Sequence, residues 1–303
     1  MQRRHFLIAS AATVALANAA GSAFAQSTNL LSRPIPGSCE RIPAIGMGTW
    51  LTFDVKPGEP ARRDLLPVLQ AFFDGGGTMI DSSPMYGDAE DVVGELLPLV
   101  RGRERVFAAT KVWTLGEEAG IGQMEQSRQL WRLPRVHLMQ VHNLLDWNQH
   151  LKTLRRMKDA GKVRYIGVTT SHGRRHDELE RIMRREPIDF VQLTYNMVDR
   201  HAEARLLPLA RDLGKAVIIN RPFDGGAMFA QVRGRALPAW ARELGCATWS
   251  QLFLKWIVAH PAVTCAIPAT SRVTHMKENM GALLGALPDA QQRQRMVDAF
   301  SRP

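Results

Sequence analysis

An acid and a phenol, Asp81 and Tyr86, stand five residues apart in the stretch GTMIDSSPMYG. The apolar run Thr78, Met79, Ile80 predicts a buried strand ending on Asp81, and the Pro and Gly beyond it put Tyr86 in the following loop. In parallel α/β folds that end of the sheet binds ligands, and a carboxylate and a phenol there can handle protons. A competing reading has Asp81 capping the next helix and Tyr86 packing over the rim. Two more polar residues share the position: Lys111 interrupts the apolar run FAATKVW, and His142 ends HLMQVH. A buried Lys must find an anion, and Asp81 on the neighbouring strand is one. An ammonium about 4 Å from the phenol, at an effective dielectric near 20, makes Tyr86 a better acid by at most about 3 pKa units, and burial opposes this. In such a group Tyr86 donates a proton, Asp81 holds Lys111 and His142 orients a carbonyl.

The elements that must position these residues alternate along the chain. Apolar strand-like segments are expected at 42–50, 78–80, 105–113, 137–143, 163–170, 189–196, 216–222 and 263–270. Helical segments follow them at 61–74, 89–97, 123–130, 148–160, 175–185, 203–213, 238–259 and 274–284. Eight strands each followed by a helix predict a parallel (β/α)8 TIM barrel, an α/β fold in a single domain over 42–303. A barrel brings adjacent strand ends together, so Asp81, Tyr86, Lys111 and His142 can converge.

Ahead of the barrel, MQRRHFL and the Ala-rich run to Ala25 have the charged start, short apolar stretch and small-x-small end of a secretory signal. The paired arginines resemble a twin-arginine export signal. Residues 1–25 are therefore expected to be cleaved, the export machinery to be a partner, and the mature protein to be periplasmic or otherwise exported. Residues 26–41, rich in Pro, Ser and Gly, are expected to be a loose lead-in. The run is too weakly apolar for a convincing membrane span.

At 303 residues with 45% hydrophobic and 22% charged content, the chain has ample material for a core. The formal charge of +10 falls to +8 without Arg3 and Arg4. The remaining excess is Arg spread along helices without interleaved aromatics, which argues against a nucleic-acid groove and helps an anionic cofactor. Cys39, Cys246 and Cys265 form no CxxC pair or metal spacing. Cys265 reads as a small core residue, and whether any pair is bridged is left open. His137, His150, His172, His201 and His260 read as structural or surface residues, and no set with metal-ligand spacing is found.

Four motifs carry a resemblance that covers essentially the whole length after the leader. GMGTW at Gly46–Trp50, IDSSPMYG, TKVW and QVHN together resemble an aldo/keto reductase. The resemblance implies a catalytic tetrad of Asp81, Tyr86, Lys111 and His142 and nicotinamide-dependent reduction of an aldehyde or ketone, a small-molecule substrate. It implies NADPH, or NADH in its place, spread across the barrel top; no GxGxxG follows a strand, so a Rossmann site is not indicated. The cofactor residues it implies begin with Gly48, Thr49 and Trp50, then Thr169, Thr170 and Gln192 at the carboxamide. After the seventh strand come Asn220, Arg221, Pro222 and Phe223. Asn220 replaces the usual stacking aromatic, a departure that weakens stacking unless Phe223 substitutes. Ile267, Thr270, Arg272, His275, Glu278 and Asn279 complete the set, the last two at the adenine. Ala269 and His275 stand where many members have Lys and Arg against the 2′-phosphate, and Arg272 takes over part of that grip. Trp50 and Trp113 would line the carbonyl pocket. Residues 288–303 leave little room for a long C-terminal loop, which implies an open pocket.

Two other functions compete. A cofactor-binding sensor on the same fold is motivated by export, because the nicotinamide pool is cytoplasmic. A metal-dependent barrel hydrolase is disfavoured because Lys111 occupies a strand end that a ligand would need.

Overall fold

In the computed structural model the chain enters through an antiparallel hairpin, β1 (Ser32–Pro34) and β2 (Arg41–Pro43), with Arg33 opposite Ile42. Residues 30–301 are described; the expected leader lies outside the described residues. Eight parallel strands follow and pair in chain order. They are β3 (Met47–Gly48), β4 (Met79–Asp81), β5 (Phe107–Val112), β6 (Val136–Val141), β7 (Val163–Thr169), β8 (Phe190–Thr194), β9 (Ala216–Asn220) and β10 (Cys265–Ala266). Single bridges from Ile45 to Ala266 and from Gly48 to Ala269 bring the two edges together, so the sheet curls into a nearly closed (β/α)8 barrel.

Two glycines make the closure feasible. A Cβ on Gly48 would lie 2.8 Å from the Ile267 carbonyl oxygen, and one on Gly46 would lie 2.9 Å from that of Met79. With hydrogen there instead, both amides donate across the seam, Gly46 to Ala266 at 2.8 Å and Gly48 to Pro268 at 3.0 Å. The spacing GMG thus meets the need for close backbone approach.

The strand period of two sorts side chains between two cores. Met79, Phe107, Ala109, Leu138, Phe190, Ala216, Ile218 and Cys265 point inward and form a cluster with Ile35 and Ile42 from the hairpin. Several of these are the first residues of their strands, so the hairpin plugs the amino-terminal end of the barrel. Alternate residues, such as Ile80, Ala108, Met139, Val168, Val191 and Val217, face the helices and join the larger outer core. Further along the same strands the inward positions turn polar: Asp81, Lys111, Gln140, Thr169, Gln192, Thr194 and Asn220, all buried except the half-buried Asn220. That switch confines polar chemistry to the carboxyl end.

Several expected elements differ. Segment 42–50 is not one strand, because β2 turns back on β1 and only Met47–Gly48 continue into the barrel. The lead-in is correspondingly not loose over Ser32–Pro34. The helix expected over 61–74 breaks at Leu65, since Pro67 has no N–H to offer the preceding turn. The one expected over 238–259 divides where Gly245 adopts φ 71° after the 3₁₀ turn Ala239–Leu244, and Thr248 caps a new helix, Trp249–Val258. Glu117–Leu130 starts earlier than expected, running through Gly120, where a Cβ would meet the His150 ring at 2.6 Å. The 288–303 tail contains the helix Ala290–Ser301. It is clasped to the barrel by Arg293, which donates to the Tyr195 hydroxyl at 2.5 Å and to Glu203 at 3.0 Å and lies over Trp256. All three cysteines are free thiols, Cys39 exposed and the other two buried.

Candidate active site

Strand register places the polar groups side by side. Asp81 stands opposite Ala109 on β5, Lys111 opposite Gln140 on β6, and Thr169 opposite Gln192 on β8. Lys111 Nζ, fully buried, donates to Asp81 Oδ2 at 2.6 Å and to the Ser82 carbonyl at 2.8 Å. Asp81 Oδ1 accepts from Gln192 Nε2 at 2.9 Å and from Gln140 Nε2 at 3.2 Å. One carboxylate therefore gathers three donors from three strands, which offsets its desolvation. Behind β5 a second buried acid, Glu90, accepts from Thr110, Ser127 and Trp131. It anchors the outer face of the strand that carries Lys111.

Tyr86, half-buried, sits above this pair with Lys111 Nζ 4.9 Å from its ring centroid. Its ring meets His142 edge-on at 5.7 Å, and Trp113 lies 6.5 Å from His142. Burial alone would drive the proton off Lys111, but the Asp81 charge, with the phenol, outweighs it and raises the Lys111 pKa. The tyrosine departs from expectation. Burial raises the Tyr86 pKa, Lys111 pulls it down, Asp81 pushes it up, and the net direction is upward. The ammonium acts in the expected sense, but the phenol loses more in leaving water than it gains from the cation. Burial, then the charge on Lys111, lowers His142 to about 2, so its imidazole is neutral.

These groups head a cavity of about 350 Å³, within the range of small-molecule sites. Of the residues expected at the site, Gly48, Thr49, Trp50, Asp81, Tyr86, His142, Thr169, Gln192, Asn220, Arg221, Pro222, Phe223 and Ile267 line it. Lys111 lies behind Asp81 and Tyr86, and Trp113 stands at the rim, 41% exposed. Thr170, Thr270, Arg272, His275, Glu278 and Asn279 do not line the cavity. Thr170 and Asn279 are buried, whereas Arg272 and His275 are exposed on the segment that follows β10.

Asn220 does not leave an empty face where a stacking ring was expected. Its Oδ1 accepts from Thr194 at 2.7 Å and its Nδ2 donates to the Thr170 carbonyl at 2.8 Å, which fixes the amide plane. Phe223 packs instead on Phe229, 4.8 Å between ring centroids. Arg221 (φ 48°) and Asp224 (φ 50°) are left-handed, as are Gly225 and Gly226, and Arg221 bonds Asp224 at 3.0 Å. Backbone strain of this kind concentrates at ligand-binding loops.

Loop residues escaped the sequence reading. Leu51, Met85, Asn143, Ser171 and His172 line the cavity, so His172 is not merely a surface residue. Asn143 is left-handed (φ 51°), its N–H donates to Thr169 Oγ1 at 3.0 Å, and its carbonyl accepts from Arg175 at 2.7 Å. Gln140 also went unnoticed, although its place two residues before His142 puts it on the same inward face.

The aldo/keto reductase family pattern matches residues 44–297. The chain is 28% identical to the methylglyoxal reductase YeaE of Escherichia coli (strain K12) over 262 residues, 82% of this chain and 88% of that one. Among solved structures it resembles an aldo-keto reductase from Klebsiella pneumoniae in complex with NADPH. The TM-score is 0.75 at 23% identity, covering 90% of this chain and 97% of that one. An aldo/keto reductase from the same organism, in complex with NADP and acetate, gives 0.72 at 24%, covering 88% and 95%. With its family pattern spanning the barrel from the first inward-facing strand to the last helix, the chain belongs to the aldo/keto reductase family.

Proposed function

We propose that the protein reduces an aldehyde or ketone to the alcohol at this cavity with NADPH, with Tyr86 as the proton donor. The observation that carries the reading is the placement of Lys111 against both the Asp81 carboxylate and the Tyr86 ring. The residues around the cavity fit a dinucleotide. Thr169, Gln192 and Asn220 supply hydroxyl and amide groups along one side, and Arg221, Gly225 and Gly226 supply a guanidinium and open backbone for a phosphate. The Klebsiella pneumoniae reductases, which hold NADP and NADPH, support that choice.

Held there, a nicotinamide would supply the hydride that the carbonyl carbon needs. Tyr86 gives its proton to the oxygen as charge builds there, and Lys111 stabilises the phenolate left behind. Asp81, held by Gln140 and Gln192, keeps Lys111 in place. Neutral His142 orients the carbonyl by hydrogen bonding. A phenol already holds its proton at neutral pH and enclosure holds that of Tyr86 more firmly, so Lys111 contributes chiefly as the proton leaves, which is when a catalytic interaction counts. Trp50, Leu51 and Met85 line the cavity as exposed apolar side chains, and Trp113, also exposed, stands 6.5 Å from His142, which supports carbonyls carrying an apolar substituent.

Tyr86→Phe is expected to keep dinucleotide affinity, read by quenching of protein fluorescence, and to lose roughly 10²–10⁴ in kcat. Wild-type turnover across a panel of carbonyls would sink the assignment. Arg272 supports NADPH over NADH, and equal affinities in the same titration would remove that role. Export belongs to the same reading, on the sequence of residues 1–25 alone; an exported protein whose amino terminus is Met1 would contradict it.

A further inference from the structure

We infer that Ser83 is a positioning residue for the reduction: its buried hydroxyl donates to His142 Nδ1 and so fixes the proton on Nε2, the nitrogen that opens to the cavity. This rests on the reading that His142 orients the carbonyl.

Ser83 is fully buried two residues past Asp81, and its Oγ lies 2.8 Å from His142 Nδ1. The same oxygen accepts from the Met85 backbone N–H at 3.2 Å. Among the described residues the hydroxyl has no other partner. Were Nδ1 protonated, both contacts would point at the Ser83 oxygen, and the serine's own proton would be enclosed with nothing to accept it, a costly arrangement. With Nδ1 accepting, every group is satisfied: Met85 donates to Ser83, Ser83 donates to His142, and the ring proton resides on Nε2.

That nitrogen has no hydrogen-bond partner among the described residues, yet it is not among the enclosed unpartnered atoms, and His142 lines the cavity. It therefore faces the space where a carbonyl oxygen would sit, as a donor. The other tautomer would present a lone pair to that oxygen and repel it. The neutral state of the ring, pushed to a pKa of about 2 by burial and Lys111, is what makes tautomer choice matter. A cationic imidazole would donate from both nitrogens and need no serine.

The test uses wild-type protein, Ser83→Ala and Ser83→Cys with ¹⁵N-labelled histidine, His142 being assigned by its loss in His142→Gln. In wild type the His142 nitrogens should show the Nε2–H tautomer throughout neutral pH. Ser83→Ala should shift them toward a mixture and lower kcat about three- to tenfold, the effect of one neutral hydrogen bond, with KM changing less and dinucleotide affinity not at all. Ser83→Cys, a weaker donor, should fall between. An Nδ1–H tautomer in wild type, an unaltered tautomer in Ser83→Ala, or an altered tautomer with unaltered kcat would each overturn the inference. If wild type turns over no carbonyl, the reductase reading fails, and the ring-nitrogen shifts still decide whether Ser83 holds the tautomer.

Discussion

Lys111→Met, alone and with Asp81→Asn, separates what the ion pair does for folding from what it does for turnover. Nζ lies 2.6 Å from Asp81, with side-chain exposures of 0% and 2%. Removing the cation leaves a buried carboxylate with only two amide donors, and stranding one member of a buried pair costs about 3–5 kcal/mol. The double variant removes both charges. Gln140 Oε1 is enclosed and unpartnered, so once the carboxylate is gone it can accept from the new amide, and most of the lost stability should return.

Turnover obeys a different rule. At 4.9 Å from the Tyr86 ring centroid and an effective dielectric near 20, the ammonium attracts charge on the phenolate by roughly 3 kcal/mol. That is about two orders of magnitude in kcat, and the double variant does not restore it. The single variant should be slower still, because the uncancelled Asp81 charge opposes the phenolate. Urea midpoints should rank wild type, double, single, while kcat stays at least about a hundredfold down in both variants. Steady-state consumption of NADPH reads the second quantity, and fluorescence titration should show unchanged dinucleotide affinity. If the double variant regains kcat together with stability, Lys111 is only a counter-ion and the proton-donation argument fails. If it is no more stable than the single variant, the buried-charge argument fails.

Acid sensitivity follows from histidines kept neutral. Burial, the leading cause at each, lowers His142 to about 2 and His137 and His260 to about 4, all below the unfolded value near 6.5. The unfolded chain then takes up protons that the folded one refuses. Stability should be full above about pH 6.5 and fall below it, by at most about 1.4 kcal/mol per pH unit per histidine. The half-buried His137 and His260 should contribute less. Urea midpoints between pH 7.5 and 5 test this; His142→Gln should flatten the slope, and a flat wild-type profile would refute it. Gly48→Ala forces a Cβ to within 2.8 Å of the Ile267 backbone oxygen and should cost about 1–3 kcal/mol. An unchanged urea midpoint would mean that the seam does not depend on that close approach.

Strand period, strand–helix alternation and turn residues made the barrel and the inward polar positions legible in the sequence. Lys111 inside FAATKVW is conspicuous because a charge on an inward position must be answered, and Asp81 one strand away answers it at 2.6 Å. The convergence of Gln140 and Gln192 on the same carboxylate was not legible, because it depends on register across β4, β6 and β8. The loops were harder still. Asn143 and His172 reach the cavity at positive φ; both residue types are enriched in that region among non-glycines, but type alone does not say which Asn or His will adopt it. The hairpin β1–β2 was hidden by its composition: a Pro- and Ser-containing lead-in reads as loop, and only the inner cluster around Ile35 and Ile42 gives it a purpose. The misjudged sign at Tyr86 has the same origin. A nearby cation can be inferred from spacing, but how much water the fold removes from the phenol is a property of the finished cavity, and at this site the desolvation is the larger effect.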